Sequence, residues 1–244
     1  MAADATDAKA DAYEFLQGLG QLILQRSPRW YEMDAGIMRI VSGAKANDRQ
    51  KHLRLPESAF LNSFVLPALH QHLQQYSSLT AEQAKAALLN EYHHTMPDLS
   101  CRSPIRAKKH PFKKTLGTSA EAIYREWTDP TRNCGLTQSC PDFALTKPFA
   151  HSMVFEGKYF RKGSAEYAAK QLVTDIYQAF FYRGLPRVES TKQGHPEWDY
   201  DYGCLLAYDA SPGGTLANAW DNLPSNVKKS FWDGANIYVM ILRS

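Results

Sequence analysis

The chain has 244 residues, of which 44% are hydrophobic, and a formal net charge of +3. This length and composition fit one globular domain, or a core domain with an extension, that needs neither disulfides nor a structural metal for stability. The four cysteines lack the spacing of zinc ligands, and no apolar stretch approaches the roughly 18 residues of a membrane span.

The N-terminal segment is acidic and lacks the apolar stretch of a signal peptide. Together with the absence of paired cysteine motifs, this predicts a cytoplasmic protein with free thiols. The mildly basic charge is compatible with a nucleic-acid partner and equally typical of ordinary soluble proteins.

The first hundred residues have the apolar periodicity of helices. Leucine and other apolar residues recur at three- and four-residue spacing within residues 12–25. Pro56 opens a second predicted helix, which Pro67 is expected to kink. Thr80 and Gln83 form a capping box that predicts the start of a third helix.

Basic residues and prolines then replace the periodicity, which predicts a connector. We therefore expect three segments, namely a helical N-terminal region at 1–96, a basic connector at 97–117 and a core at 118–244. The connector lysines could neutralise phosphates of a nucleic acid, and the alternative is a solvated linker. These lysines are Lys108, Lys109, Lys113 and Lys114.

From residue 118 onward, helical and strand-like segments alternate. The predicted elements are a helix at 119–127, strands at 140–146 and 152–160, a helix at 164–182, a loop at 184–201, a strand at 202–208, short helices at 216–220 and 225–232, and a strand at 236–242. This order predicts an α/β fold with a mixed β-sheet flanked by helices.

Three ionisable residues fall within the two central strand segments. Asp142 lies near the start of the first strand, and Glu156 and Lys158 lie two residues apart in the second. Residues two apart in a strand project from the same face, and an antiparallel hairpin would bring Asp142 close to them. Such charges are costly to bury unless they interact with one another or with a metal.

These residue types suit the hydrolysis of a phosphodiester bond. Mg²⁺ stabilises charge on the phosphate and lowers the pKa of a bound water, and it prefers hard oxygen ligands. Asp142 and Glu156 can supply carboxylates, and the carbonyl group of Gly157 a third oxygen. Lys158 could hold or activate the attacking water. The pattern therefore predicts a Mg²⁺ site in which Mn²⁺ can substitute.

Pro141-Asp142, a gap of 13 residues and Glu156-Gly157-Lys158 together resemble the signature of the PD-(D/E)xK nuclease superfamily. This superfamily includes many type II restriction endonucleases and repair exonucleases. The resemblance spans roughly residues 118–209. It implies a restriction-endonuclease-like α/β core, dependence on a divalent metal, hydrolysis of DNA and, for restriction enzymes, a homodimer.

Members of this superfamily often carry further polar residues on the helices beside the strands. Glu126 is the candidate on the preceding helix, and a solvated side chain is its alternative. Lys170 and Gln171 are the candidates on the following helix, Lys170 as a DNA contact, and solvated side chains are again the alternative. A polar and aromatic loop at 187–202 suits contact with bases or exposure to solvent.

The sequence thus favours a Mg²⁺-dependent DNA endonuclease of the type II restriction kind. A repair-type exonuclease with the same core is the alternative enzyme. A DNA-binding module that has lost turnover is the alternative from another functional class.

Overall fold

A computed structural model describes residues 2–26, 55–90, 142–161, 163–183 and 200–243. The connector at 97–117 and the predicted helix at 119–127 lie outside these ranges, as do nearly all residues of the predicted loop at 184–201. None of the helices within the described ranges is both long enough and apolar enough to cross a membrane.

The N-terminal part of the chain is mainly helical, and most of the strands follow it. The N-terminal elements are α1 (Ala2–Arg26), α2 (Leu55–Phe60), a π-helical segment (Leu61–Val65), α3 (Leu66–Tyr76), α4 (Ala81–Ala87) and β1 (Leu88–Asn90). The C-terminal elements are β2 (Phe143–Leu145), β3 (Met153–Phe160), α5 (Ala165–Arg183), β4 (Tyr202–Asp209), α6 (Thr215–Asp221), α7 (Ser225–Ala235) and β5 (Ile237–Leu242).

The five strands form one mixed sheet in the order β1-β2-β3-β4-β5. β1, β2 and β3 pair antiparallel, whereas β3, β4 and β5 pair parallel. A parallel neighbour requires a long crossover connection, and α5 lies within the one between β3 and β4. The structure confirms the predicted α/β fold with a mixed sheet flanked by helices.

Each face of the sheet is covered by its own set of helices. Phe155 of β3 packs into a core shared with α1, α3 and α4, and its neighbour Val154 packs into a second core shared with α5, α6 and α7. This alternation follows from the two-residue period of a strand. Because β3 and β4 are buried on both faces, any polar side chain on them must find a partner within the protein.

The N-terminal helices differ from the prediction in one respect and confirm it in another. The π-helical segment ends at Val65, two residues before Pro67, which lies in the first turn of α3. Proline has no N–H group and disturbs the preceding turn, so the helix type changes there. The Thr80–Gln83 capping box is confirmed by both of its hydrogen bonds.

Candidate functional site

The structure brings Asp142, Glu156 and Lys158 together at the β2–β3 hairpin. The Lys158 Nζ atom lies 2.5 Å from Oε1 of Glu156, which confirms that these two residues share a face of β3. Asp142 immediately precedes β2, and its Oδ2 atom accepts a hydrogen bond of 2.6 Å from the Gly157 N–H. The predicted hairpin is therefore present and has the predicted consequence for Asp142.

The short length of β2 explains why carboxylates gather at this edge of β3. β2 begins at Phe143, opposite Phe155, so the following part of β3 extends beyond it. The N–H group of Gly157 is bound there by Asp142, and that of Tyr159 by Oε2 of Glu57 at 3.3 Å. Two carboxylates thus satisfy backbone donors that a longer β2 would bind.

Gly157 contributes backbone rather than a side chain to the site. The N–H and C=O groups of one residue in a strand point to the same side, so the Gly157 carbonyl shares the edge that Asp142 occupies. On the face away from Glu156, an added Cβ atom at this position would collide with the Leu61 side chain. The close approach of the π-helical segment therefore favours glycine here.

Helix α5 adds an acidic residue that the sequence analysis did not identify. Asp175 is 2% exposed, and its Oδ1 atom accepts a hydrogen bond of 2.7 Å from Nε2 of Gln171. Gln171, a predicted site residue, therefore contacts Asp175. A signal was present in the sequence, because Asp175 lies within the apolar stripe of α5 that includes Leu172 and Ile176.

Glu57 is the second acidic residue that the sequence analysis missed. It lies in the first turn of α2 and reaches the site from the opposite helical layer. An acidic residue in the first turn of a helix is common because it interacts favourably with the helix dipole. Its position in the sequence therefore gives no indication of a role at the sheet.

The buried carboxylates strongly influence one another and Lys158. Burial, and next the charge of Asp142, raise the pKa of Glu156 well above its ordinary value. Burial raises the pKa of Asp175 to about 7, although the positive charge of Lys158 opposes this rise. Burial alone would lower the pKa of Lys158, but Glu156, Asp175 and Glu57 together raise it. The lysine is therefore charged at neutral pH.

Among the residues that the structure describes, four acidic side chains interact with one another or with Lys158. Asp142 and Asp175 act on Glu156, and Asp175 and Glu57 act with Glu156 on the ammonium group of Lys158. When they ionise, they leave an excess of negative charge in a poorly solvated place, which a cation would stabilise. Within the described part of the chain, no three or more His, Cys, Asp or Glu side chains are arranged as a metal-binding group.

The donor types at the hairpin nevertheless fit Mg²⁺. This ion is commonly held by one or two carboxylates, with water and other oxygens completing its shell. Asp142, Glu156 and the carbonyl group of Gly157 provide two carboxylates and a backbone oxygen at one edge of β3. Because one of these three oxygen donors belongs to the backbone, the set contains only two acidic side chains and differs from a group of three or more ligating side chains.

Of the remaining predicted residues, the structure describes Lys170 alone. Lys170 is exposed on α5, where its carbonyl group accepts a hydrogen bond from Thr174. Glu126 and the connector lysines lie outside the described residues, so their predicted roles stay predictions. These lysines are Lys108, Lys109, Lys113 and Lys114.

Comparison with known proteins yields no relative for this chain. No protein-family model matches it, and neither a curated protein nor a solved structure shows significant similarity to it.

Proposed function

We propose that this chain is a Mg²⁺-dependent DNA endonuclease of the PD-(D/E)xK type. The observation that carries the proposal is the convergence of Asp142, Glu156 and Lys158 at one hairpin, where Asp142 binds the backbone between the other two. A buried Glu156 beside half-buried Asp142 and Lys158 suits phosphodiester hydrolysis better than it suits stability, because charges removed from water are costly.

The order of elements around the site supports a restriction-endonuclease-like core. The motif occupies an antiparallel pair of strands, a long helix follows, and the next strand lies parallel to the motif strand. A long helix directly after the motif is the arrangement that the superfamily implies. Homodimer formation is a further expectation that rests on the same resemblance.

Asp142, Glu156 and the Gly157 carbonyl would hold the metal ion. When bound, Mg²⁺ would stabilise charge on the scissile phosphate and lower the pKa of a coordinated water. The hydrogen bond from the Gly157 N–H group orients the carboxylate of Asp142. The buried faces of β3 limit access of bulk water to the site.

Lys158 acts as a charged group rather than as a proton acceptor. Its neighbouring carboxylates raise its pKa, so it has no lone pair with which to take a proton from water at neutral pH. An ammonium group can donate hydrogen bonds to the attacking water or to a phosphate oxygen. Asp175 and Glu57 maintain this charge and are positioning residues in the proposed reaction.

The test is cleavage of closed circular plasmid DNA in the presence of Mg²⁺ or Mn²⁺. We expect the unmodified chain to cut the plasmid, and Asp142→Ala and Lys158→Ala to reduce the rate by about 100-fold or more while the protein still folds. Lys85→Ala, at an exposed position on α4, is the matched control and should cut normally.

Other outcomes separate the alternatives. Cleavage restricted to linear DNA would show that the chain is an exonuclease with the same core and not an endonuclease. DNA binding without metal-dependent cleavage would overturn the enzymatic proposal and leave a binding module. Equal activity in all three variants would show that any cleavage arises elsewhere.

A further inference from the structure

We propose that an open groove beside the outer strand β5 binds single-stranded nucleic acid. Helices α1 and α7 and strand β5 line most of this groove, which has a volume of about 1060 Å³. Its wall carries four aromatic side chains, Tyr13, Trp220, Trp232 and Tyr238, and we call it the aromatic groove. It contains none of the residues of the candidate catalytic site, so the inference does not rest on the proposed hydrolysis.

Three of the four rings contact one another at interplanar angles of 53°, 75° and 87°, so they form a tilted and edge-to-face aromatic cluster. The ring centroid of Tyr13 lies 5.5 Å from that of Trp232 and 5.3 Å from that of Tyr238, and the latter two lie 5.9 Å apart. Tyr202 stacks on Trp232 at 5.3 Å and supports it from within the core. Rings held by such contacts are already ordered. Stacking of a base on them therefore costs less conformational entropy of the protein.

Tyr13 is the exposed member of this cluster of rings. It is 36% exposed, which makes it one of the few large apolar side chains that remain open to solvent in the described parts of the chain. The Tyr13 ring is therefore accessible to a ligand in the groove. Stacking of one base on an aromatic ring contributes about 1–3 kcal/mol to binding and tolerates any base.

Lysines are placed beside the rings, where phosphates would follow the bases. Lys228 lies 5.7 Å from the centroid of the Trp220 ring, and Lys229 is exposed on the same helix. Lys9 lies 5.2 Å from the Trp232 centroid, but its ammonium group also donates hydrogen bonds to the carbonyl groups of Trp232 and Asp233. Lys9 donates a third hydrogen bond to Oδ1 of Asn236, so all three of its N–H groups are used, whereas Lys228 donates only one, of 3.0 Å, to the carbonyl group of Asp221. We therefore assign phosphate contact to Lys228 and Lys229.

The acidic residues of the groove do not cancel this charge. Glu14 and Asp233 also line it, against three lysines. Lys9 lies close enough to Asp233 to feel its charge, which leaves Lys228 and Lys229 to face Glu14. The groove therefore combines a small positive excess with aromatic rings, which is the pairing that single-stranded nucleic acids require.

Unpaired bases fit this wall better than a duplex or a peptide. The rings offer stacking surface, whereas the bases of a duplex are already stacked on each other. An extended peptide added to the edge of β5 would bind mainly through its backbone and would depend little on Lys228 and Lys229. Dependence of binding on both the rings and the lysines is therefore the distinguishing property.

The experiment measures fluorescence anisotropy of labelled oligonucleotides of about 15 nucleotides, a length suited to one such groove. Oligodeoxythymidine, oligouridine and a duplex are titrated with the full chain in EDTA, so that no metal-dependent cleavage interferes. We expect both single strands to bind more tightly than the duplex. Tyr13→Ala should weaken single-strand binding about 5- to 100-fold, whereas Tyr13→Phe, which keeps the ring, should bind normally.

The lysines are tested through their salt dependence. Replacing Lys228 and Lys229 together by alanine should weaken binding and reduce the slope of log affinity against log salt concentration by about 1.4, which is the loss of two phosphate contacts on a single strand. Tyr167→Ala, at a ring that is 52% exposed on α5, and Lys85→Ala are matched controls and should bind like the unmodified chain.

Four results would overturn the inference. Two concern the ligand, namely failure of either single strand to bind and a duplex that binds as tightly as the single strands. The other two concern the variants, namely binding that either Tyr13→Ala or the lysine double variant leaves unchanged, and an equal loss of binding in Tyr167→Ala. Circular dichroism of each variant separates loss of binding from loss of folding. Binding that persists while plasmid cleavage is absent would count against the proposed nuclease and in favour of the groove.

Discussion

In the described part of the chain, more acidic side chains interact with Lys158 and Glu156 than one ammonium group can pair with, and this imbalance defines the site at the scale of single residues. Glu156 forms the ion pair, and Asp142, Asp175 and Glu57 lie near enough to shift the pKa values of the pair. A fold selected only for stability would replace such a cluster by apolar residues. Retaining it costs free energy of folding, which is typical of functional sites.

Asp175→Asn should stabilise the protein in a pH-dependent manner. The pKa of Asp175 rises from 3.8 to about 7 on folding, so the unfolded chain loses this proton first as the pH increases. Stability therefore falls between these two values, and the penalty stays in full at higher pH. Because asparagine has no such proton, the gain from the substitution should be about 1–3 kcal/mol larger at about pH 8 than at about pH 5.

Urea denaturation at the two pH values measures this difference. Asp221→Asn, at an exposed position on α6, is the control and should show the same small effect at both. A loss of stability in Asp175→Asn at the higher pH would show instead that the ionised carboxylate stabilises Lys158 by more than its burial costs.

The sequence was sufficient for the central residues of the site because only local geometry was needed. The two-residue period of a strand places Glu156 beside Lys158, and a hairpin brings in Asp142. Asp175 and Glu57 depend on how α5 and α2 pack on opposite faces of the sheet. Such tertiary contacts have no periodicity of their own, although a carboxylate in an apolar helical stripe does point to Asp175.

At the scale of elements, the difference between predicted and observed strands has a similar cause. The long helix α5 and the strand β4 differ from the predicted 164–182 and 202–208 by one residue at their ends. β1 was not predicted, because its three residues directly follow α4 and become a strand only by pairing with β2. β2 is shorter than the predicted 140–146, and because it starts only after Asp142, the side chain of this residue can reach Gly157.

The contact between β3 and the π-helical segment leads to a prediction about Gly157. Gly157→Ala should destabilise the protein by about 1–3 kcal/mol, because the new Cβ atom would collide with Leu61. In a Leu61→Ala background the same substitution has space, so its cost should shrink by about 1 kcal/mol or more. Urea denaturation of the four proteins in this double-mutant cycle measures the coupling.

Gly234→Ala is the control for this cycle. An added Cβ atom there meets no atom within 4 Å, and the residue lies within α7. Alanine should therefore stabilise the helix by up to about 1 kcal/mol. Additive effects of Gly157→Ala and Leu61→Ala would show that the strand tolerates a side chain by moving its backbone instead.

At the scale of the whole molecule, the two helical layers pack on opposite faces of one sheet. The first core joins residues of α1 and α3 to residues of β3, β4 and β5, so the N-terminal helices complete the burial of the sheet. Glu57 adds a polar link between the same layer and the candidate site. A change in the N-terminal helices should therefore affect strands that are distant in sequence.

Leu16→Ala tests this dependence. Leu16 is fully buried on α1, so its truncation should cost about 2–5 kcal/mol. If α1 and the sheet unfold as one cooperative unit, hydrogen exchange should accelerate by a similar factor in peptides from α1 and from β4, since both would exchange through the same opening. Leu24→Ala, at a position of the same helix that is 37% exposed, should change neither peptide appreciably. Acceleration confined to α1 would instead make the N-terminal helices an independent unit and would support a domain boundary in the predicted connector at 97–117.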